Sequence, residues 1–172
     1  MLIVFLGNPG SEYKSTRHNF GFIAAERMKI LESAKWLDKF HGKFTTLDIC
    51  GQKHCFLKPD TFMNLSGKSV QAAKSFFKLA ESEIIVVHDD IETEFGSVIL
   101  KEGGGFAGHN GLKSIANSIG SANFKRLRLG IGRPQKGDVA SFVLGRFTTE
   151  ETAFIPGVIE TAEEKLLELL HL

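Results

Sequence analysis

Leu2-Ile3-Val4-Phe5-Leu6-Gly7-Asn8-Pro9-Gly10 opens the chain with five apolar residues that stop at four turn-formers. The apolar run reads as a buried strand. Gly-Asn-Pro-Gly can continue neither strand nor helix, so the chain must turn there. A helical pattern begins near Ser15 or Thr16 and carries His18 and Asn19 in its first turn. A histidine is thereby set just beyond the carboxyl end of a strand, where α/β proteins tend to keep their sites.

Outward from this stretch, Phe20, Ile23, Ala24, Met28 and Leu31 recur at helical spacing and predict a helix to about Ser33. Lys43–Cys50 and His54–Leu57 predict a hairpin around Gly51-Gln52, ended by Lys58-Pro59-Asp60. Ser66 is the expected N-cap of a helix through Val70, Ala73, Phe77 and Leu79. Ile84-Ile85-Val86-Val87 is the strongest buried-strand signal and delivers His88-Asp89-Asp90 at its end. Val98–Leu100 predicts a further strand, followed by a glycine-rich loop (103–111) and a helix through Leu112, Ile115 and Ile119. Arg126–Ile131 alternates as a strand and stops at Gly132-Arg133-Pro134. Thr148-x-x-Glu151 is a possible capping box for a last helix, which Pro156 must either start or kink. With no internal repeat or linker, residues 1–172 are expected to form a single α/β domain, a mixed twisted sheet surrounded by helices.

At 172 residues the chain can bury a sizeable core. No apolar run reaches the roughly 20 residues that span a bilayer, and the interrupted N-terminal run does not read as a signal peptide. Two cysteines, Cys50 and Cys55, are too few for a disulfide framework and fit a reducing cytoplasm. Net charge is only +1, but its distribution is uneven. Residues 101–146 hold eight basic and two acidic side chains, whereas residues 147–172 hold six Glu and one Lys. The basic segment reads either as a solvated face or as a phosphate-binding surface.

A lone histidine at a helix start is usually a surface or capping residue. His18 gains a functional reading because the helix dipole disfavours imidazolium, which keeps the ring available as a base. Asp89 is the best-placed carboxylate to orient it, while Asp90 reads as a turn cap. Asn8, Asn64 and Asn110 sit in the loops around this point. Each is a natural turn residue, yet together they offer neutral amides for a carbonyl or an oxyanion. Gly103, Gly105 and Gly108 match G-x-G-x-x-G, but Phe124-Lys125-Arg126-Leu127-Arg128 stands where an acidic ribose ligand belongs. Ser66-Gly67-Lys68-Ser69 lacks the first glycine of a phosphate-binding loop, and no G-x-S-x-G is present. His18, His88, Asp89, Asp90 and His109 offer metal ligands without any metal-site spacing. These residues describe a hydrolase that activates water with a His–Asp pair, without metal, cofactor or covalent nucleophile. A nucleic-acid or nucleotide-binding module without catalysis and a metal-dependent hydrolase are the competing readings.

Five separated blocks carry a resemblance: Leu6–Gly10 with Tyr13 and Thr16-Arg17-His18-Asn19; Lys58-Pro-Asp-Thr-Phe-Met-Asn-Leu-Ser-Gly67; His88-Asp89 before Phe95-Gly96; Gly108-His-Asn-Gly-Leu-Lys-Ser-Ile115; and Phe124–Pro134 with Phe142-Val-Leu-Gly145. In this order they resemble the bacterial-type peptidyl-tRNA hydrolase family over nearly the whole chain. The resemblance implies cleavage of the ester between a peptide and the 3′ end of tRNA, by a cytoplasmic enzyme expected to be monomeric and free of metal. It makes His18 the base and Asp89 its partner. It makes Asn8, Tyr13, Met63, Asn64 and Asn110 the substrate residues, with Asn110 also a candidate for stabilising the tetrahedral intermediate. It places Lys101, His109, Lys113 and Arg128 toward the tRNA acceptor stem, with Lys101 and Arg128 as the 5′-phosphate clamp. Phe5, Phe62 and Phe106-Ala107 depart from the family pattern, which commonly has Gly, Tyr and a smaller or more polar loop at these places.

Overall fold

The computed structural model describes residues 1–171. Its opening strand, β1 (Leu2–Phe5), is buried along its whole length and lies in the middle of a seven-stranded sheet. β2 (Leu37–Lys39), β3 (Gly42–Ile49), β4 (Gln52–Pro59), β5 (Ile84–Asp90), β6 (Val98–Glu102) and β7 (Lys125–Gly130) complete it, in the order β2-β3-β4-β1-β5-β7-β6. β4, β1, β5 and β7 run parallel, while β2, β3 and β6 add antiparallel margins. The sheet is mixed, as expected.

Helices cover both faces, so the central strands are apolar on both sides rather than alternating. Ile3 and Phe5 face a core shared with α1 (Phe20–Arg27) and α5 (Thr149–His171). Leu2, Val4 and Leu6 face a second core shared with α2 (Ser66–Phe77) and α3 (Asn110–Ile119). A short helix, α4 (Val139–Val143), precedes α5. Among the described residues no helix is long and apolar enough to cross a membrane.

Several local expectations shift. α1 stops at Arg27 rather than Ser33, because Met28 is extended and Glu163 of α5 accepts the Ile30 N–H at 2.7 Å. The β3–β4 turn is Cys50-Gly51, and β4 continues through Pro59, which is tolerated because parallel pairing to β1 already ends at Leu57. β2 carries no apolar run and was not foreseeable from pattern. Ser66 is the first residue of α2 rather than its cap; its hydroxyl donates back to the Met63 carbonyl at 2.8 Å. Thr148 does accept the Glu151 N–H at 3.1 Å, but the Glu151 carboxylate turns to Arg17 instead of closing a capping box. Pro156 lies inside α5.

α2 and α3 cross closely at Gly67, whose N–H donates to the Ser114 hydroxyl at 2.9 Å. A Cβ at Gly67 would run into the Ser114 carbonyl and the Ser118 hydroxyl. Gly67→Ala gains about 1 kcal/mol of helix propensity but overpacks helix backbone, so a net loss of about 1–2 kcal/mol is expected. Denaturant unfolding should show a lower midpoint with an unchanged slope.

Candidate active site

The turn after β1 and the end of β5 meet at one place. Leu6 extends the sheet by donating to the Val87 carbonyl at 3.1 Å, and Phe22 of α1 donates to the Leu6 carbonyl at 3.2 Å. Gly21 permits this approach: a Cβ there would sit 2.5 Å from the Leu6 oxygen. The 3-10 turn Arg17–Asn19 that leads into α1 is thereby pressed against the carboxyl end of β5.

His18 Nδ1 lies 2.9 Å from Asp89 Oδ2, and both residues are buried. The other carboxylate oxygen, Oδ1, lies 2.9 Å from His109 Nε2. His109 is the N-cap of α3, and its Nδ1 accepts the Gly111 and Leu112 N–H groups at 3.1 and 3.4 Å. An accepting Nδ1 carries no proton, so His109 is a neutral imidazole that donates Nε2–H to Asp89. The remaining Asp89 oxygen accepts Nδ1–H of His18 and leaves His18 Nε2 for the cavity. Neighbouring His88 donates from Nδ1 to the Asp89 carbonyl at 2.7 Å and stacks edge-on against His109. Burial pushes the His88 imidazole down to about 3, so it stays neutral.

Burial acts on Asp89 in the opposite direction, yet the two histidines hold its carboxyl well below the ordinary range. Burial also lowers the His18 imidazole, but the Asp89 charge and hydrogen bond outweigh it and the net shift is upward from 6.5. The helix dipole alone would shift His18 the other way. A carboxylate at hydrogen-bond distance dominates the partial charge of one helix end.

Asn8 is clamped on three atoms. Its N–H donates to Asn19 Oδ1 at 2.8 Å, its carbonyl accepts Asn19 Nδ2 at 2.9 Å, and its Oδ1 accepts the Met63 N–H at 2.7 Å. The last bond assigns the amide orientation and leaves Asn8 Nδ2 as a free donor. Asn8, His18, Met63, Asn64, Asp89, His109 and Asn110 line one cavity of about 570 Å³. Its remaining wall includes Ile91, Phe106, Arg133, Val139, Val143 and Leu144.

The other sequence candidates lie elsewhere. Tyr13 is outside the cavity lining and packs edge-on against Phe62, 6.3 Å between ring centroids. Lys101 on β6 and Lys113 on α3 are exposed, and Arg128 on β7 stands 3.7 Å from Asp90. His109, grouped with them by resemblance, has both nitrogens engaged within the protein. Arg126, counted in the basic segment, is fully buried; it donates to the carbonyls of Gly104, Gly105 and Ala122 and lies against Phe106. The glycine loop is therefore gripped by an arginine, and it follows an antiparallel edge strand, unlike a dinucleotide turn. Asp90 accepts from the Thr93 hydroxyl and serves the turn, as expected. Asn19 and Arg126 carry positions that sequence reasoning did not assign; the Thr-Arg-His-Asn block was the only signal for the first.

This constellation, an α/β domain with a histidine–carboxylate pair open to a cavity beyond parallel strand ends, has the layout of a single-domain α/β enzyme. A family model described as Peptidyl-tRNA hydrolase matches residues 2–171. Peptidyl-tRNA hydrolases of Sorangium cellulosum and Citrifermentans bemidjiense are 47% and 48% identical to the chain. The alignments cover 98% and 96% of the chain and 78% and 88% of those relatives. The crystal structure of peptidyl-tRNA hydrolase from Acinetobacter baumannii superposes with a TM-score of 0.90 at 40% identity, covering 99% of this chain and 87% of that one. The chain belongs to the peptidyl-tRNA hydrolase family.

Proposed function

We propose that the protein hydrolyses the ester joining a peptide, or an N-acylated amino acid, to the 3′ ribose of tRNA, with His18 as general base. One observation carries this: Asp89 holds His18 by Nδ1 at 2.9 Å and leaves Nε2 facing a cavity lined by three asparagines. Neutral His18 takes a proton from water at Nε2 as the water oxygen attacks the ester carbonyl. The oxyanion that forms is stabilised by the Asn110 amide. Collapse breaks the bond to the ribose oxygen, which receives the proton from Nε2. The products are a peptide carboxylate, a free tRNA hydroxyl and one proton released to solvent.

Sparing aminoacyl-tRNA follows from the amide orientation. Asn8 Nδ2 is a donor, because its oxygen is already bound by Met63. A donor pairs with the carbonyl of an N-acyl group and finds no acceptor on a free α-ammonium. Asn64, which follows the Met63 that binds Asn8, is assigned the same role. Asn8→Ala or Asn64→Ala is expected to lower the preference for N-acetyl-aminoacyl-tRNA over aminoacyl-tRNA by about tenfold or more. Retention of the full preference in both variants removes this explanation.

The acceptor stem is assigned to Lys101, Lys113 and Arg128, with Lys101 and Arg128 on the 5′-phosphate; Tyr13 is assigned to the 3′ end outside the cavity. The enzyme is read as a cytoplasmic monomer without cofactor. A metal-dependent reading has one observation behind it: ligand atoms of His18, Asp89 and His109 lie within 4.8 Å of one another. Against it, His18 Nδ1, His109 Nε2 and both Asp89 carboxylate oxygens are already hydrogen-bonded to one another. Hydrolysis is therefore expected to proceed at the same rate in EDTA, and a requirement for added metal would favour the rival.

A further inference from the structure

Arg17 immediately precedes His18 and is only 7% exposed. Its contacts lead to one place. The backbone N–H donates to the Gly145 carbonyl at 3.0 Å, and Nη1 donates to the Phe142 carbonyl at 3.2 Å. Nη2 pairs with Glu151 Oε1 at 3.0 Å, and the guanidinium lies 4.2 Å above the Phe142 ring. Thr16 forms an antiparallel bridge with Arg146. The turn that carries His18 is thus fastened to the end of α4 and the segment leading to α5.

α4 needs this fastening. It has five residues, none of them fully buried, so helix cooperativity is negligible and only the half-buried Val139, Phe142 and Val143 rest on the core. Its ends are held as well: Asp138 accepts the Ser141 N–H at 2.7 Å at one end, and Arg17 donates to the Phe142 carbonyl at the other, where a cation also suits the dipole. Arg17 Nε and Glu151 Oε2 are both buried without partners, so the ion pair is single although a bidentate one is the stronger arrangement. The guanidinium is placed by the α4 carbonyl and the Phe142 ring as much as by the carboxylate.

α4 and the residue after it bring Val139, Ala140, Val143 and Leu144 to the cavity as an apolar wall. Val139 and Val143 of that wall pack on the α1–α5 face of the sheet, whereas α3, with Lys113, packs on the other. Building on the hydrolase reading above, we propose that Arg17 is a positioning residue: it holds α4 so that this wall receives the side chain of the amino acid esterified to tRNA. An apolar side chain at that position is therefore favoured over glycine.

The test is a competition between N-acetyl-leucyl and N-acetyl-glycyl esters of the same tRNA, read as the ratio of kcat/KM. The wild type is expected to favour leucyl by about fivefold or more. Arg17→Lys keeps the charge but loses the planar, multiply donating group, and should bring the ratio to about one. Leu144→Ser changes an exposed wall residue and should lower the same ratio, whether or not Arg17→Lys folds well. A merely destabilised enzyme loses both rates equally and leaves the ratio unmoved. An unchanged ratio in both variants, or no leucyl preference in the wild type, overturns the assignment alone. Cleavage of neither ester by the wild type overturns the hydrolase reading and the assignment with it.

Discussion

His18→Ala is expected to lower the single-turnover rate of N-acetyl-aminoacyl-tRNA hydrolysis by roughly 10²–10⁴-fold, the usual worth of a positioned general base. tRNA binding should change by less than about threefold, because the cations proposed to hold the acceptor stem are untouched. The size of the effect follows from the geometry: among the described residues, His18 Nε2 is the imidazole nitrogen left free on the cavity. His109 lines the same cavity and lies 4.8 Å away between ring centroids, but its nitrogens are committed to Asp89 and to the α3 cap. It has no lone pair to offer in place of the one removed. A variant that retained more than about a tenth of the wild-type rate would mean that water is activated elsewhere.

Asp89→Asn is the second large effect. Asparagine keeps the shape but presents one acceptor and one donor where two imidazole N–H groups now point. His109 cannot reverse, since α3 holds its Nδ1 as an acceptor. The asparagine NH₂ must then face His18 Nδ1, which pushes the neutral ring's proton to Nε2, the atom that has to act as base. A loss of about 10²–10⁴-fold is expected, in line with the cost of removing an orienting carboxylate from a histidine base.

The pH dependence supplies an independent readout of the same pair. In the wild type the His18 ionisation lies above 6.5, so activity falls as pH drops through that raised value. In Asp89→Asn burial acts unopposed, and the limb moves below 6.5. The sign for stability is the reverse. The raised His18 value contributes stability that is fully present below 6.5 and is lost as pH rises through the folded value. The depressed Asp89 value contributes stability that is present above 3.8 and lost as pH falls through its folded value. The ion pair therefore supports the fold most between these two ordinary values and less in the range where His18 is free to act as base. Thermal unfolding of wild type and Asp89→Asn across pH 4–8 should converge as pH rises through the wild-type His18 ionisation.

Much of this arrangement was readable from local pattern. Leu2–Leu6 and Ile84–Val87 are apolar without alternation, and the two strands do lie side by side at the sheet centre. Asp89 is legible as the partner of His18 because it stands near the carboxyl end of a buried strand, and parallel neighbours deliver their following residues to one edge. Turn chemistry likewise pointed to Asn8, Asn64 and Asn110. What escaped pattern was settled by contacts distant in sequence. Glu163 truncates α1 from 133 positions away. Arg126 alternates correctly within β7, yet nothing local says that the glycine loop will fold back over it and take its charge out of solvent. His109 follows a glycine in a basic segment, and only the placement of α3 turns it toward Asp89. Tyr13 follows the Gly-Asn-Pro-Gly turn, and only the 3-10 turn Ser11–Tyr13 sets it against Phe62.

The most direct test of the whole account sets N-acetyl-aminoacyl-tRNA beside the matching free aminoacyl-tRNA, both in EDTA, with wild type and His18→Ala. The expected result is hydrolysis of the N-acylated substrate alone, by the wild type alone. Equal hydrolysis of both substrates, activity that appears only when metal is restored, or undiminished cleavage by His18→Ala would contradict it.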